Sequence, residues 1–180
     1  MIRADVVFWI LIFIWGWIGA SRGWVREVIV TFSLLFALFI YSQFGNTIRG
    51  FAVGDFVQTK FFARAMPFML IAFFGYLGPS VARSRFEVNT RGKIEQGLLS
   101  FLIGSFNGFL LFSTLMWLAA DSGLLTDPLL NPPGNSMFTP PPEGWANFFF
   151  VKNSAVAIFS GTTLVVVLVA VFLFVIVVLI

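Results

Sequence analysis

The sequence predicts an all-α, polytopic membrane helix bundle of about five transmembrane helices, with a tight first hairpin and a proline-rich loop before the last helix. Three observations predict it. Hydrophobic residues make up 59% of the 180, charged residues only 11%, and mean hydropathy is +0.96. A soluble domain carries about a quarter of its residues as charges, and a chain this short has no core large enough to hide the apolar surplus. Lipid is the environment that accepts it. The apolar residues also gather into long runs parted by short charged or proline-rich connections. Finally, 25 phenylalanines and six tryptophans stand against two tyrosines, which suits helices among acyl chains with tryptophans at the headgroup layer.

Each element follows from its own stretch. Residues 6–20, VVFWILIFIWGWIGA, form the first run, about 22 Å long as a helix at 1.5 Å per residue. Asp5 precedes it, where a carboxylate caps a helix N-terminus or complements its dipole. Only Arg3 supplies positive charge ahead of the run, fewer than a secretory signal usually has, so the stretch reads as an uncleaved span. Residues 28–44 make the second run. Residues 45–60, punctuated by Gly45, Gly50 and Gly54, keep no clean helical face and read as a loop, with a re-entrant segment as the alternative. The third run, about 61–82, has Arg64 near its start, where it can snorkel to the interface, and Pro67 in its first turn or two, where a helix tolerates proline. Residues 83–96 are strongly charged, and a fourth run covers 97–120. These runs make residues 1–120 a four-span membrane core. Residues 121–154 hold most of the eight prolines and read as an extended extramembrane loop. Residues 155–180 carry no charge and form the C-terminal transmembrane helix.

If every run crosses, the connections 21–27 and 83–96 share a side. That side holds Arg22, Arg26, Arg83, Arg85, Arg91 and Lys93, against Arg3, Arg49, Lys60, Arg64 and Lys152 on the other. Clustering of six basic residues in two short connections places that side in the cytoplasm, with the N-terminus and the 121–154 loop outside. Trp15, Trp17 and Trp24 then fit an inner aromatic belt. Trp117, Trp145 and FFF at 148–150 fit an outer one. Within GASRGWVRE, residues 19–27, Arg22 and Arg26 lie one turn apart and can hold the reversal at anionic headgroups, with Glu27 as a partner. Gly19 and Gly23 permit close backbone approach or positive φ there. The motif serves either as a topological anchor or as a docking point.

The fourth run carries Ser100, Gly104 and Gly108 every fourth residue, with Asn107 beside them near mid-span. Small residues at that spacing let another helix backbone approach closely, in this bundle or in another subunit. An amide at that depth requires a partner.

Asp5 and the apolar run, followed by Gly19, Arg22, Gly23, Arg26 and Glu27, resemble the N-terminal signature of the colicin V production protein family, Gly-x-x-Arg-Gly-x-x-Arg-Glu. KIEQGLLSFLIGSFNGFLL is similar to a second stretch of that family, with Ser100, Gly104 and Gly108 at its glycine spacing and Asn107 where a basic residue is usual. The likeness covers roughly residues 5–118. It implies a bacterial inner-membrane protein, multi-pass, associated with toxin export and envelope processes, of no defined biochemical activity.

Chemistry is constrained by what is missing. There is no cysteine and no histidine, which removes thiolate and imidazole nucleophiles and the usual metal and haem ligands. No phosphate-cradling glycine loop and no convincing carboxylate pair appear, and Asp121, Asp127 and Glu143 read as solvated loop residues. A net charge of +3 does not point to nucleic acid. The sequence therefore predicts a non-catalytic protein with no cofactor and no metal, whose partners are the lipid bilayer and other membrane protein subunits. An accessory subunit of a respiratory or photosynthetic complex is the alternative. A small transporter comes third, since no acidic residue is expected at mid-membrane.

Overall fold

A computed structural model describes residues 2–50, 56–77, 93–126, 138–139 and 144–179. It contains helices α1 (Ala4–Arg22), α2 (Trp24–Gly50), α3 (Val57–Leu77) and α4 (Lys93–Asp121), then short helices α5 (Phe149–Lys152) and α6 (Ala155–Ile158), and finally α7 (Gly161–Leu179). The backbone of Ile2–Arg3 bridges in parallel to that of Phe138–Thr139. The molecule is an all-α bundle. Among the described residues, four helices are long and apolar enough to cross a membrane, and a fifth span is reached if the bent pair Phe149–Ile158 and Gly161–Val177 counts as one. Arg83, Arg85, Arg91, Asp127, Glu143 and much of the proline-rich segment lie outside the described residues.

The centre of the bundle is α4. α1 packs along it antiparallel, and α2 packs on it in the parallel sense, so α1 and α2 touch each other little although they are joined by one residue. α3 lies against α2, and α5 and α6 lie against α4. The main core gathers Val30, Leu34, Leu35 and Leu38 of α2, Phe68 and Ala72 of α3, Leu110 and Leu111 of α4, and Leu164 of α7. Outward, α1 shows Trp9, Phe13 and Trp17 and α3 shows Phe62, Phe73 and Phe74. Apolar side chains that stay exposed along whole helices are the signature of a surface solvated by lipid.

Several expectations shift. The segment 45–60 is not mainly a loop: α2 continues through Gly50 and α3 begins at Val57. Its mixed polarity marks helix ends leaving the apolar layer, where one face need no longer be apolar. Because α3 starts earlier than expected, Pro67 sits in its third turn, inside the helix. Phe148 and Phe150 do not form a belt. They are buried against Phe8, whose ring stacks 4.8 Å from that of Phe150, and only Phe149 faces outward.

The last span is also not one straight helix. It bends by 68° at Phe159–Ser160. Gly161 sits at the break, and two further contacts hold the opposite end of α6. Ser154 caps α6 by accepting from the Ala157 N–H at 3.3 Å, the Ser113 hydroxyl accepts from the Ala155 N–H at 3.1 Å, and Gly161 takes φ of 56°. Helix-end donors buried away from water need such partners.

Candidate functional site

The candidate site is built from the α1–α2 junction. Gly23 is the only non-helical residue between the two helices, and its φ of 93° is a value that residues with a Cβ adopt at a cost. The chain therefore reverses across a single residue rather than the seven-residue connection expected. Its N–H still bonds the Gly19 carbonyl at 3.1 Å, and its carbonyl accepts from the Glu27 N–H at 3.3 Å. This leaves Arg22 on the last turn of α1 and Glu27 on the first turn of α2 facing one another.

Glu27 is 1% exposed and Asn107 is fully buried. The Asn107 amide donates to the Glu27 carbonyl at 2.9 Å and to carboxylate Oε2 at 3.0 Å. Arg22 Nη1 lies 3.3 Å from the other oxygen, Oε1. Thr31, one turn along α2 from Glu27, directs its hydroxyl to Asn107 Oδ1 at 2.7 Å and lies 2.9 Å from the Glu27 carbonyl. Both carboxylate oxygens thus have a donor, and the amide is satisfied on both of its atoms. A buried charge with this degree of pairing is tolerable in a medium of low dielectric.

The network extends to the other helices. Arg22 Nη2 donates to the Tyr76 carbonyl at 3.1 Å, and its guanidinium lies 4.8 Å from the centre of the Tyr76 ring. The carbonyl belongs to the last turn of α3, whose dipole favours a cation there. The Trp15 indole N–H donates to the Tyr76 hydroxyl at 2.6 Å. Four helices are therefore tied together by six side chains: Trp15, Arg22, Glu27, Thr31, Tyr76 and Asn107.

The predicted residues divide clearly. Arg22, Glu27 and Asn107 converge, although they come from two motifs 80 residues apart. Asn107 lies at the middle of α4 and is level with the first turn of α2, because α4 extends past the hairpin through Lys93–Leu99. Gly19 and Gly104 meet backbone to backbone: a Cβ on Gly104 would lie 2.8 Å from the Gly19 Cα and 2.9 Å from the Trp15 carbonyl. A Cβ on Gly108 would lie 2.7 Å from that of Trp15, and Ser100 is buried at the same seam, its hydroxyl donating to the Gln96 carbonyl. The small-residue stripe is occupied by α1 of the same chain. Asp5 lies in the first turn of α1 and Arg26 in that of α2, both apart from the network and partly exposed.

Trp15, Thr31 and Tyr76 were not anticipated as members. Trp15 reads from sequence as a belt residue, but its indole points into the bundle. Thr31 could have been found from its i+4 spacing to Glu27, and Tyr76 as one of only two tyrosines. At the opposite end, Arg64 does not simply snorkel and Asp121 is not a free loop residue. Asp121 ends α4 and pairs with Arg64 at 2.7 Å.

No protein-family model, curated protein or solved structure matches the chain.

Proposed function

We propose that this chain is a non-catalytic scaffold of a bacterial inner membrane, of the colicin V production type, which works by holding shaped apolar faces toward other membrane proteins. The observation that carries the reading is the Arg22–Glu27–Asn107 network. It uses Arg22 and Glu27 of the first motif and Asn107 of the second to lock four helices together, and their hydrogen-bonding capacity is largely spent within the chain. What remains for recognition is the outer surface: Trp9, Phe13 and Trp17 on α1, and Phe62, Phe73 and Phe74 on α3. Association in lipid rests on packing and polar contacts at such faces.

α7 favours a second reading. Val165, Val166, Val169, Leu173 and Val177 are exposed, so its surface suits burial against larger subunits. That is the accessory subunit of a respiratory or photosynthetic complex. One experiment separates the two. Extraction in mild detergent, affinity capture and mass spectrometry should recover envelope or export proteins in defined stoichiometry under the first reading, and redox subunits under the second. A lone chain that drives ion flux in vesicles would sink both and leave a transporter.

A further inference from the structure

A small cavity lies where the outgoing end of α2 faces the break between α6 and α7. Its volume is about 190 Å³, the share of roughly six waters. Tyr41, Ser42, Gly45 and Asn46 line it from α2, and Phe159 and Ser160 from the break. Among the described residues, no charged side chain lines it. Its depth follows from the sequence of both walls. α2 exposes Ser42, Gln43, Asn46 and Thr47 at this level, and the chain entering α7 exposes Ser160, Thr162 and Thr163 before the exposed valines begin at Val165. Both helices turn polar together, which places the cavity in the headgroup layer on the side opposite the hairpin.

We propose that this cavity binds the glycerol headgroup of a phospholipid, such as phosphatidylglycerol, through the two hydroxyls of that headgroup. The chemistry of the lining selects it. A hydroxyl both donates and accepts, and the lining offers both functions. Ser42 spends its proton on the Phe39 carbonyl at 2.8 Å, and its oxygen receives only a long contact from Gln43 Nε2 at 3.5 Å, so it serves as an acceptor. The Asn46 amide and the Ser160 hydroxyl each donate and accept, and neither side chain bonds to another of the described residues. A cation would use acceptors alone, and an anion taken inside would meet no opposite charge. An acyl chain would strip water from Asn46 and Ser160 without replacing its hydrogen bonds. The rings of Tyr41 and Phe159 cover the carbon side of the headgroup, in the mixture of apolar wall and few polar groups that small-ligand sites show. The phosphate stays hydrated in the headgroup layer, so the cavity needs no cation. Gly45 leaves the room: a Cβ there would meet nothing nearer than the Tyr41 ring at 3.8 Å.

The test uses the full chain in mild detergent with equal amounts of phosphatidylglycerol and phosphatidylethanol of identical acyl chains. The two lipids carry the same charge, and only the first has the diol. Native mass spectrometry should find phosphatidylglycerol retained about fivefold more, the effect of roughly one net hydrogen bond. Gly45→Leu fills the cavity and Asn46→Leu removes the amide, and each should bring the ratio to one. Gly97→Leu, at the hairpin end of α4 where an added Cβ meets nothing, should keep the preference. Equal retention of the two lipids by the unaltered protein overturns the proposal, as does a preference that survives in both folded cavity variants. Free glycerol at the concentration of the lipids should leave the ratio unchanged. Erasure of the ratio by that glycerol would make the cavity a site for soluble polyols and overturn the lipid assignment.

Discussion

Glu27 and Arg22 show how much depends on pairing when a charge is buried. Removing one partner leaves the other charged and desolvated, which costs about 3–5 kcal/mol, whereas replacing both with apolar groups of similar size is often close to neutral. Arg22→Ala should therefore destabilise the bundle by about 3–5 kcal/mol in reversible unfolding in mixed micelles. The double variant Arg22→Met with Glu27→Met should recover most of that loss, since Asn107 keeps its bond to the Glu27 backbone carbonyl. Additive losses in that cycle would show that the pair is not coupled. The pairing itself was partly legible. A cation and a carboxylate on either side of Gly23 announce a short-range pair, but burial of that pair depends on Asn107 arriving from 80 residues away. No local pattern carries that information.

At the scale of elements, helices were read well where runs were uniformly apolar and poorly where polarity mixed. α2 and α3 outlast their apolar runs because helix backbones stay hydrogen-bonded as they leave the lipid core. The bend at Phe159–Ser160 was hidden for the opposite reason. The apolar character of 155–180 is continuous, and the Ser113 hydroxyl that holds the start of α6 arrives from 42 residues away. The α1–α4 seam is the sharpest element-level test. Gly104→Leu would place a branched side chain where the Gly19 Cα and the Trp15 carbonyl stand within 3 Å of an added Cβ. Overpacking of this kind typically costs about 1–3 kcal/mol and more when backbone must move. Gly104→Leu should accordingly detach α1, seen as protease cleavage between α1 and α2 in detergent. Gly97→Leu, where an added Cβ meets nothing, should leave the protein resistant.

For the whole molecule, the bent last pair decides the topology. Trp24 of α2 lies beside Phe174 of α7, so α7 finishes at the hairpin end of the bundle. The chain contains no cysteine, which makes single introduced thiols clean reporters. Ser21→Cys and Val177→Cys should react with a membrane-impermeant maleimide from one side of sealed vesicles, and Thr126→Cys from the other. Labelling of Val177→Cys together with Thr126→Cys would mean that the last pair dips in and returns. Composition alone made the membrane class legible, because no aqueous packing accommodates so much exposed phenylalanine. The order of packing was not legible, since all the runs are similarly greasy and any could have neighboured any other.

The central place of α4 has a consequence for manufacture. α1 is made first, yet its resting place is a helix that begins about 70 residues later, a wait of roughly 4–14 s at 5–20 residues per second. During that interval the emerging α1 has an exposed glycine seam and no docking surface, and Glu27 has an arginine but no amide. Ribosome-stalled chains ending near residue 90 should therefore be held by insertion machinery at α1, detectable by site-specific crosslinking, and should be released once residues through about 125 have cleared the exit.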